Sequence, residues 1–161
     1  MAGDADGRVS VTTLSTYRPI VFWQAHQGAV LRADAWSGYL VTHGRDHSLR
    51  VWKMPDELGS VALSSSMAKN LPLPIMLHEM GVNALNYCAY DMCIRNEDTP
   101  TLDGWLVVPN TLESGWIDLY HVPSQERIIE SLGRQADIRS GTERPAIVIA
   151  LRICILHDIL S

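Results

Sequence analysis

The stretch from Pro19 to Pro55, PIVFWQAHQGAVLRADAWSGYLVTHGRDHSLRVWKMP, decides the fold. Ile20, Val21, Phe22 and Trp23 make an apolar run too short for a helix, introduced by Pro19 and ended by Gln24, and it reads as a strand. His26 follows in a short loop. Val30 to Trp36 is a second strand, Ser37-Gly38 a turn, Tyr39 to Thr42 a third strand, and Ser48 to Met54 a fourth, entered through the turn Gly44-Arg45-Asp46. Four strands in about forty residues have the size of one β-propeller blade. Such a unit predicts a binding platform and no chemistry of its own.

The polar residues inside this apolar unit need partners, because an unpaired buried polar group costs roughly 1–3 kcal/mol. Trp52 carries an indole N–H that must find an acceptor when buried. The spacing resembles that of WD repeats, in which a hydroxyl on the strand before the turn, the loop His and the turn Asp supply the acceptor chain. The matching residues are Thr42, His26 and Asp46, with Asp46 six residues before Trp52. Lys53 stands where WD repeats carry their second signature residue, so the signature reads Trp-Lys. The same three side-chain types could form a catalytic His–Asp–hydroxyl set. A strand-bound Trp at the right offset accounts for all three as a structural network, and that reading is preferred.

Working outward, Gly3 to Leu14 reads as a turn and a strand, with Asp6 at the position of Asp46 and Thr12 at that of Trp52, one blade length of 40 residues earlier. On this reading the chain opens in the middle of a blade. Asp56 to Asn70 is small, polar and without period, a surface loop in which Ser64, Ser65 and Ser66 are possible phospho-acceptors but read more simply as solvated. Leu73 to Leu77 is expected to begin the next blade, with His78 at the His26 position and Val82 to Tyr90 as a strand that holds Asn86 as a satisfied core amide. After a charged loop, Cys93 to Asp103, come strands at Trp105 to Val108 and Trp116 to Val122. Ser114 falls at the turn Asp and Tyr120 at the Trp, so the polar network there is degraded. Glu126 to Leu132 is expected as an outer strand, with an amphipathic helix as the alternative, and Pro145 to Ile153 as the first strand of yet another blade.

The resulting architecture is all-β, a partial WD40 β-propeller of about two complete blades plus parts of two others, its ring not closed. Residues 3–23 are the end of one blade and its outer strand, 19–55 a WD blade, 71–123 a degenerate blade with loop insertions, and 126–153 the start of a further one. Blades cut open at both ends leave apolar faces wet and backbone groups unpaired, so the isolated chain is expected to be marginally stable.

Composition narrows the function. Of 161 residues 47% are apolar and 19% charged, enough for a core, and the net charge of −5 with Lys only at 53 and 69 gives no basic stripe for a phosphate backbone. Direct nucleic-acid binding is therefore not expected. Cys88, Cys93 and Cys154 are odd in number and lack zinc-site spacing, and they read as buried small apolar residues in a reducing compartment. The opening MAGDADGRVSV has no apolar core of a signal peptide, and Ala146 to Leu160 is interrupted by Arg152, His157 and Asp158, so neither export nor a membrane span is expected. No nucleophile elbow, phosphate loop or metal cluster is visible, so no enzyme, cofactor or small-molecule substrate is expected. Trp36 and Trp105 are candidate contact aromatics, with core packing the simpler account of each.

Three stretches together carry a more specific resemblance: Pro19 to His26, Thr42 to Trp52, and Leu77-His78 with Val82-Asn83-Ala84-Leu85-Asn86-Tyr87-Cys88-Ala89-Tyr90. With Ser114-Gly115-Trp116-Ile117-Asp118, which is no general WD feature, they resemble the family of ASTRA-associated protein 1, fungal WD-repeat subunits of the ASTRA complex. The resemblance runs from Gly3 to about Ile153 and corresponds to the N-terminal part of a chain two to three times longer. It implies a nuclear, non-catalytic propeller whose loops and rim meet protein subunits of an assembly linked to chromatin remodelling and to maturation of phosphatidylinositol-3-kinase-related kinases. The alternatives are a G-protein-β-like adaptor of another intracellular complex, or a non-functional fragment.

Overall fold

Alternation of apolar and polar side chains sets each strand's faces. In PIVFWQ, Val21 and Trp23 are buried while Phe22 and Gln24 face outward, the period-two signature of a half-buried strand. The computed structural model describes residues 1–36, 38–56, 58, 71–85, 87–95, 103–113, 115–122, 124–134 and 147–154. Its strands are β1 (Ala2–Gly3), β2 (Arg8–Thr12), β3 (Pro19–Gln24), β4 (Val30–Trp36), β5 (Tyr39–Gly44), β6 (Ser48–Lys53), β7 (Ile75–Gly81), β8 (Asp91–Ile94), β9 (Gly104–Pro109), β10 (Ile117–Val122) and β11 (Arg127–Leu132). All pair antiparallel, and there is no helix among the described residues. They form three sheets, ordered β1-β2-β3, β4-β5-β6-β7 and β11-β10-β9-β8. A closed propeller ring has about four to eight such sheets.

The chain divides into two units, Met1–Ala84 with the first two sheets and Leu85–Ser161 with the third. In the first unit Val9, Val21, Trp23, Ala25, Leu40 and Trp52 form the core. The Trp23 and Trp52 rings meet edge to face at 5.7 Å, and each indole removes roughly 150–250 Å² from water. The two sheets of this unit are joined through backbone. Val30 N–H of β4 donates across them to the Asp4 carbonyl at 3.0 Å, and the Ala25 and His26 N–H groups, in the loop that leads to β4, donate to the Gly7 carbonyl at 3.0 and 2.9 Å. Gly7 sits at φ +84°, and a Cβ there would lie 2.1 Å from the His26 carbonyl oxygen, so only glycine lets the turn close on that loop.

Strand pairing regroups the repeat read from the sequence. β3, the first strand of the 19–55 unit, hydrogen-bonds to β2, and the sheet built on residues 30–53 takes its outer strand from β7. The sequence repeat and the sheet are thus offset by one strand, so that each repeat begins on its predecessor's sheet. β5 also runs two residues further than expected, to Gly44. In the 75–81 region the strand continues to Gly81, beyond Leu77, and contains His78 opposite Val51.

The described residues of the expected Val82–Tyr90 strand, 82–85 and 87–90, form no strand, and regular pairing resumes at Asp91. Tyr87 adopts φ 57°, a left-handed conformation that breaks extended chain, and Val82, Asn83 and Ala84 are buried in succession where a strand would alternate. Asn86 lies outside the described residues, as do Ser64, Ser65 and Ser66.

In the second unit β9 contributes the most deeply buried run, Leu106, Val107 and Val108, paired with β8 and β10. β11 is a strand along Arg127–Leu132, which settles the alternative of a helix. Residues 147–154, the described part of the stretch expected as a further strand, form no regular strand. They are tied to the sheet by Ile153 N–H donating to Asp91 Oδ2 at 2.9 Å. Val107, Ile117, Leu119, Ile129, Leu132 and Ile153 line a mainly apolar cavity of about 190 Å³ there. Of the cysteines, Cys88 is buried as expected, whereas Cys93, on the short strand β8, is half-buried and Cys154, in a segment outside regular strand, is exposed.

Candidate functional site

β5 and β6 place Thr42 and Trp52 on the core side, the Asp46 turn joins the two strands, and His26 enters from the loop after β3. These four side chains form one relay. Trp52 Nε1–H donates to Thr42 Oγ1 at 2.9 Å, Thr42 Oγ1 lies 2.8 Å from His26 Nε2, and His26 Nδ1 lies 2.9 Å from Asp46 Oδ1. The Asp46 carboxylate can only accept, so the proton of the neutral imidazole sits on Nδ1 facing it, and Nε2 accepts the Thr42 hydroxyl proton while Thr42 Oγ1 accepts from the indole. The hydroxyl next to Trp52's nitrogen is thus that of Thr42 on β5, and its neighbour His43 is fully buried on the same strand.

Asp46 is the hub of the exposed end. Its Oδ1 also accepts from Ser48 Oγ at 2.8 Å, its Oδ2 accepts from Gln27 N–H at 3.0 Å, and Arg50 stands 3.3 Å away. Burial raises its pKa, but the Gln27 N–H, the Ser48 hydroxyl and His26 outweigh that and hold it at about 2. Burial lowers His26, with Asp46 opposing, and burial together with the nearby His26 lowers His43 to about 4. Gly44 is required here too, since a Cβ would fall 2.4 Å from the His26 ring. Ser48, Arg50 and Glu79 were not anticipated from sequence. Arg50 bonds the Ala25 carbonyl and donates Nε–H and Nη2–H to Glu79 Oε1 at 2.9 and 2.7 Å, tying β6 to β7. Their signal was modest: Arg50 alternates with Leu49 and Val51 two residues before Trp52.

The degenerate positions fare differently. His78 lies in mid-strand on β7, away from the loop position of His26. Two residues past the end of β7, where His26 stands relative to β3, is buried Asn83. Ser114 lies outside the described residues. Tyr120 is on β10, where its hydroxyl accepts from Arg127 Nε–H at 2.9 Å and its ring lies under the same guanidinium. Asp6, aligned with Asp46, pairs with Arg8 on the surface; Asp4 organises that turn by accepting the Asp6 and Arg8 N–H groups at 2.9 Å each. Thr12 sits at the end of β2, opposite Pro19.

The second unit uses another device. Asn110 Nδ2 donates to both carboxylate oxygens of buried Asp118 at 3.0 and 3.1 Å, Asn110 Oδ1 accepts the N–H groups of Leu112 and Glu113, and Asp118 Oδ1 accepts Ser131 N–H at 2.8 Å. Asn110 opening a turn is the legible half of this pair. Trp36 is buried, and Trp105 is partly buried and stacks edge-on with His121 at 5.4 Å. Among the described residues no group of three or more His, Cys, Asp or Glu is placed to hold a metal ion.

Four-stranded antiparallel sheets, the first strand of a repeat lent to the sheet before it and one relay of Trp, Thr, His and Asp locking turn to loop, define a WD-repeat β-propeller segment. The crystal structure of the Myceliophteria thermophila Cps50 (Swd1) β-propeller domain shares this fold, with a TM-score of 0.53 at 11% identity over 80% of this chain and 37% of that one. Among curated proteins the chain is homologous to ASTRA-associated protein 1 of several fungi. It is 38% identical over 139 residues to that of Verticillium alfalfae, covering 78% of this chain and 33% of the relative. It is 41% identical over 150 residues to that of Penicillium rubens, covering 80% and 34%. The chain therefore spans about a third of the length of the relatives it matches. No family model matches it.

Thr42→Val keeps the side-chain shape but leaves the Trp52 indole N–H without its acceptor and His26 Nε2 without its donor. It is expected to cost about 2–4 kcal/mol in urea unfolding, against less than about 1.5 kcal/mol for Thr42→Ser. The buried histidines also set a pH dependence. Their folded pKa values lie below 6.5, so the unfolded chain binds more protons and stability falls as pH drops from 6.5 towards about 4, with His43 contributing a loss of about 3 kcal/mol. Asp46 adds a second loss between pH 3.8 and about 2. Urea midpoints that stay constant from pH 8 to pH 4 would contradict this.

Proposed function

We propose that this chain is a non-catalytic protein-interaction scaffold, a WD-repeat subunit of the ASTRA complex. The observation that carries the proposal is the 36–41% identity over about four-fifths of the chain to proteins named ASTRA-associated protein 1. That name states an association with ASTRA, and brought to this chain it makes ASTRA subunits the partners. The relay supports a structural role for the polar residues: the Thr42 hydroxyl and both His26 nitrogens are spent on neighbouring side chains inside the sheet. A hydroxyl that donates into its own core is a poor nucleophile for anything outside it.

The proposal extends to location and process. The chain acts in the nucleus, within an assembly linked to chromatin remodelling and to maturation of phosphatidylinositol-3-kinase-related kinases. With a net charge of −5 it reaches chromatin through other proteins and makes no direct phosphate contact of its own. Affinity purification of the tagged chain from its native cells, read by quantitative mass spectrometry, tests this. ASTRA subunits are expected at least tenfold above a tag-only control, and recovery of a wholly different set of proteins refutes it.

A further inference from the structure

Among the described residues the same pair of hairpin hydrogen bonds occurs twice. Between β2 and β3, Thr13 N–H donates to the Arg18 carbonyl and Tyr17 N–H to the Thr13 carbonyl, both at 3.0 Å. Between β10 and β11, His121 N–H donates to the Glu126 carbonyl and Gln125 N–H to the His121 carbonyl, both at 2.9 Å. The residue before the last is left-handed in each, Tyr17 at φ 55° and Gln125 at φ 58°. A side-chain bond also braces each turn, Thr13 to Thr16 in one and His121 to Ser124 in the other.

With these hydrogen bonds and the left-handed position shared, the side chains differ in setting. In the 121–126 turn the second residue, Val122, is buried, the left-handed residue is polar Gln125, and the last is Glu126. In the 13–18 turn the equivalent positions hold Leu14, 87% exposed, Tyr17, 82% exposed, and Arg18, an exposed guanidinium that has no ion pair among the described residues. The turn itself therefore does not call for an aromatic at its left-handed position, nor for its second residue to stand exposed. A large aromatic in a left-handed conformation strains the backbone where glycine would sit without cost, so Tyr17 works against the free chain's stability. Tyrosine and arginine beside an aliphatic residue on a stiff turn have the composition of an interface anchor.

We propose that the 13–18 hairpin tip is a docking element for a protein subunit, seating Leu14 and Tyr17 in an apolar groove whose rim carries a carboxylate for Arg18. Charge selects this occupant. One guanidinium beside two apolar side chains matches a single carboxylate on a groove's rim, whereas an anionic lipid surface is met by several clustered cations, and Arg18 is the one cation of the 13–18 turn. The inference rests on the scaffold reading above and names the surface it uses.

The test compares the tagged full chain with Leu14→Ser/Tyr17→Ser, Arg18→Glu, Tyr17→Gly and, as the matched control, Gln125→Ala. Each is purified from its native cells for quantitation of co-purifying ASTRA subunits, and each is melted alone. The double variant and Arg18→Glu are expected to lower at least one ASTRA subunit tenfold or more, with Gln125→Ala within twofold of wild type. Tyr17→Gly is expected to lose the same subunit while its melting temperature stays level or rises. Unchanged subunit recovery from all tip variants overturns the docking element and leaves the scaffold reading standing, whereas recovery of no ASTRA subunit by the wild-type chain overturns both. A fall in melting temperature for Tyr17→Gly, or loss by the tip variants of binding to phosphatidylserine vesicles without loss of subunits, also overturns it.

Discussion

Thr42 Oγ1 lies 2.9 Å from the Trp52 indole nitrogen and 2.8 Å from His26 Nε2, so a single buried hydroxyl must accept from one ring and donate to the other. That double duty fixes much else. It places Trp52 on the core side, against Trp23 and Leu40, and it sets the tautomer that turns His26 towards Asp46. Asp46 in turn holds the Gln27 N–H of the loop leading from one sheet to the next. Each link is an ordinary hydrogen bond, yet breaking any one strands a buried group, and the cost of stranding exceeds the value of the bond.

The relay also explains the offset between sequence repeat and sheet. His26 follows a strand of the first sheet and bonds to residues of the second, so the repeat unit spans the junction between two sheets. Gly7 and Gly44 are small for the same reason, since one lets the His26 carbonyl approach and the other its ring. In the second unit, where Tyr120 stands at the position matching Trp52, the Asn110–Asp118 pair ties the 110–113 turn to β10 and β11. Two chemistries thus solve one problem, the anchoring of a turn between strands of an antiparallel meander.

Where the periodicity was strong, the sequence was legible: β3, β4, β6, β9 and β10 fall at or within two residues of their expected bounds, since alternation and β-branched residues leave little choice. Residues 26, 42, 46 and 52 could be singled out because a buried indole needs an acceptor and their spacing resembles that of WD repeats. Aligning His78 with His26 failed because β7 runs to Gly81, and nothing local marks that end. The Val82–Tyr90 stretch is apolar enough for a strand, but burial of consecutive residues and the left-handed Tyr87 come from packing that no local pattern records. Arg50, Glu79 and Asp118 escaped notice for a similar reason: charged residues on strands read as solvent-facing unless their partners, far away in sequence, are known.

The most direct probe of the relay is ¹⁵N magnetic resonance of the His26 ring and the Trp52 indole between pH 5 and 8. At pH 8 the geometry requires a neutral His26 with its proton on Nδ1 and Nε2 bare, and a Trp52 Nε1–H protected from exchange with solvent. A His26 that titrates near 6.5 or carries its proton on Nε2, or an indole proton that exchanges as freely as in an unfolded chain, would contradict the account.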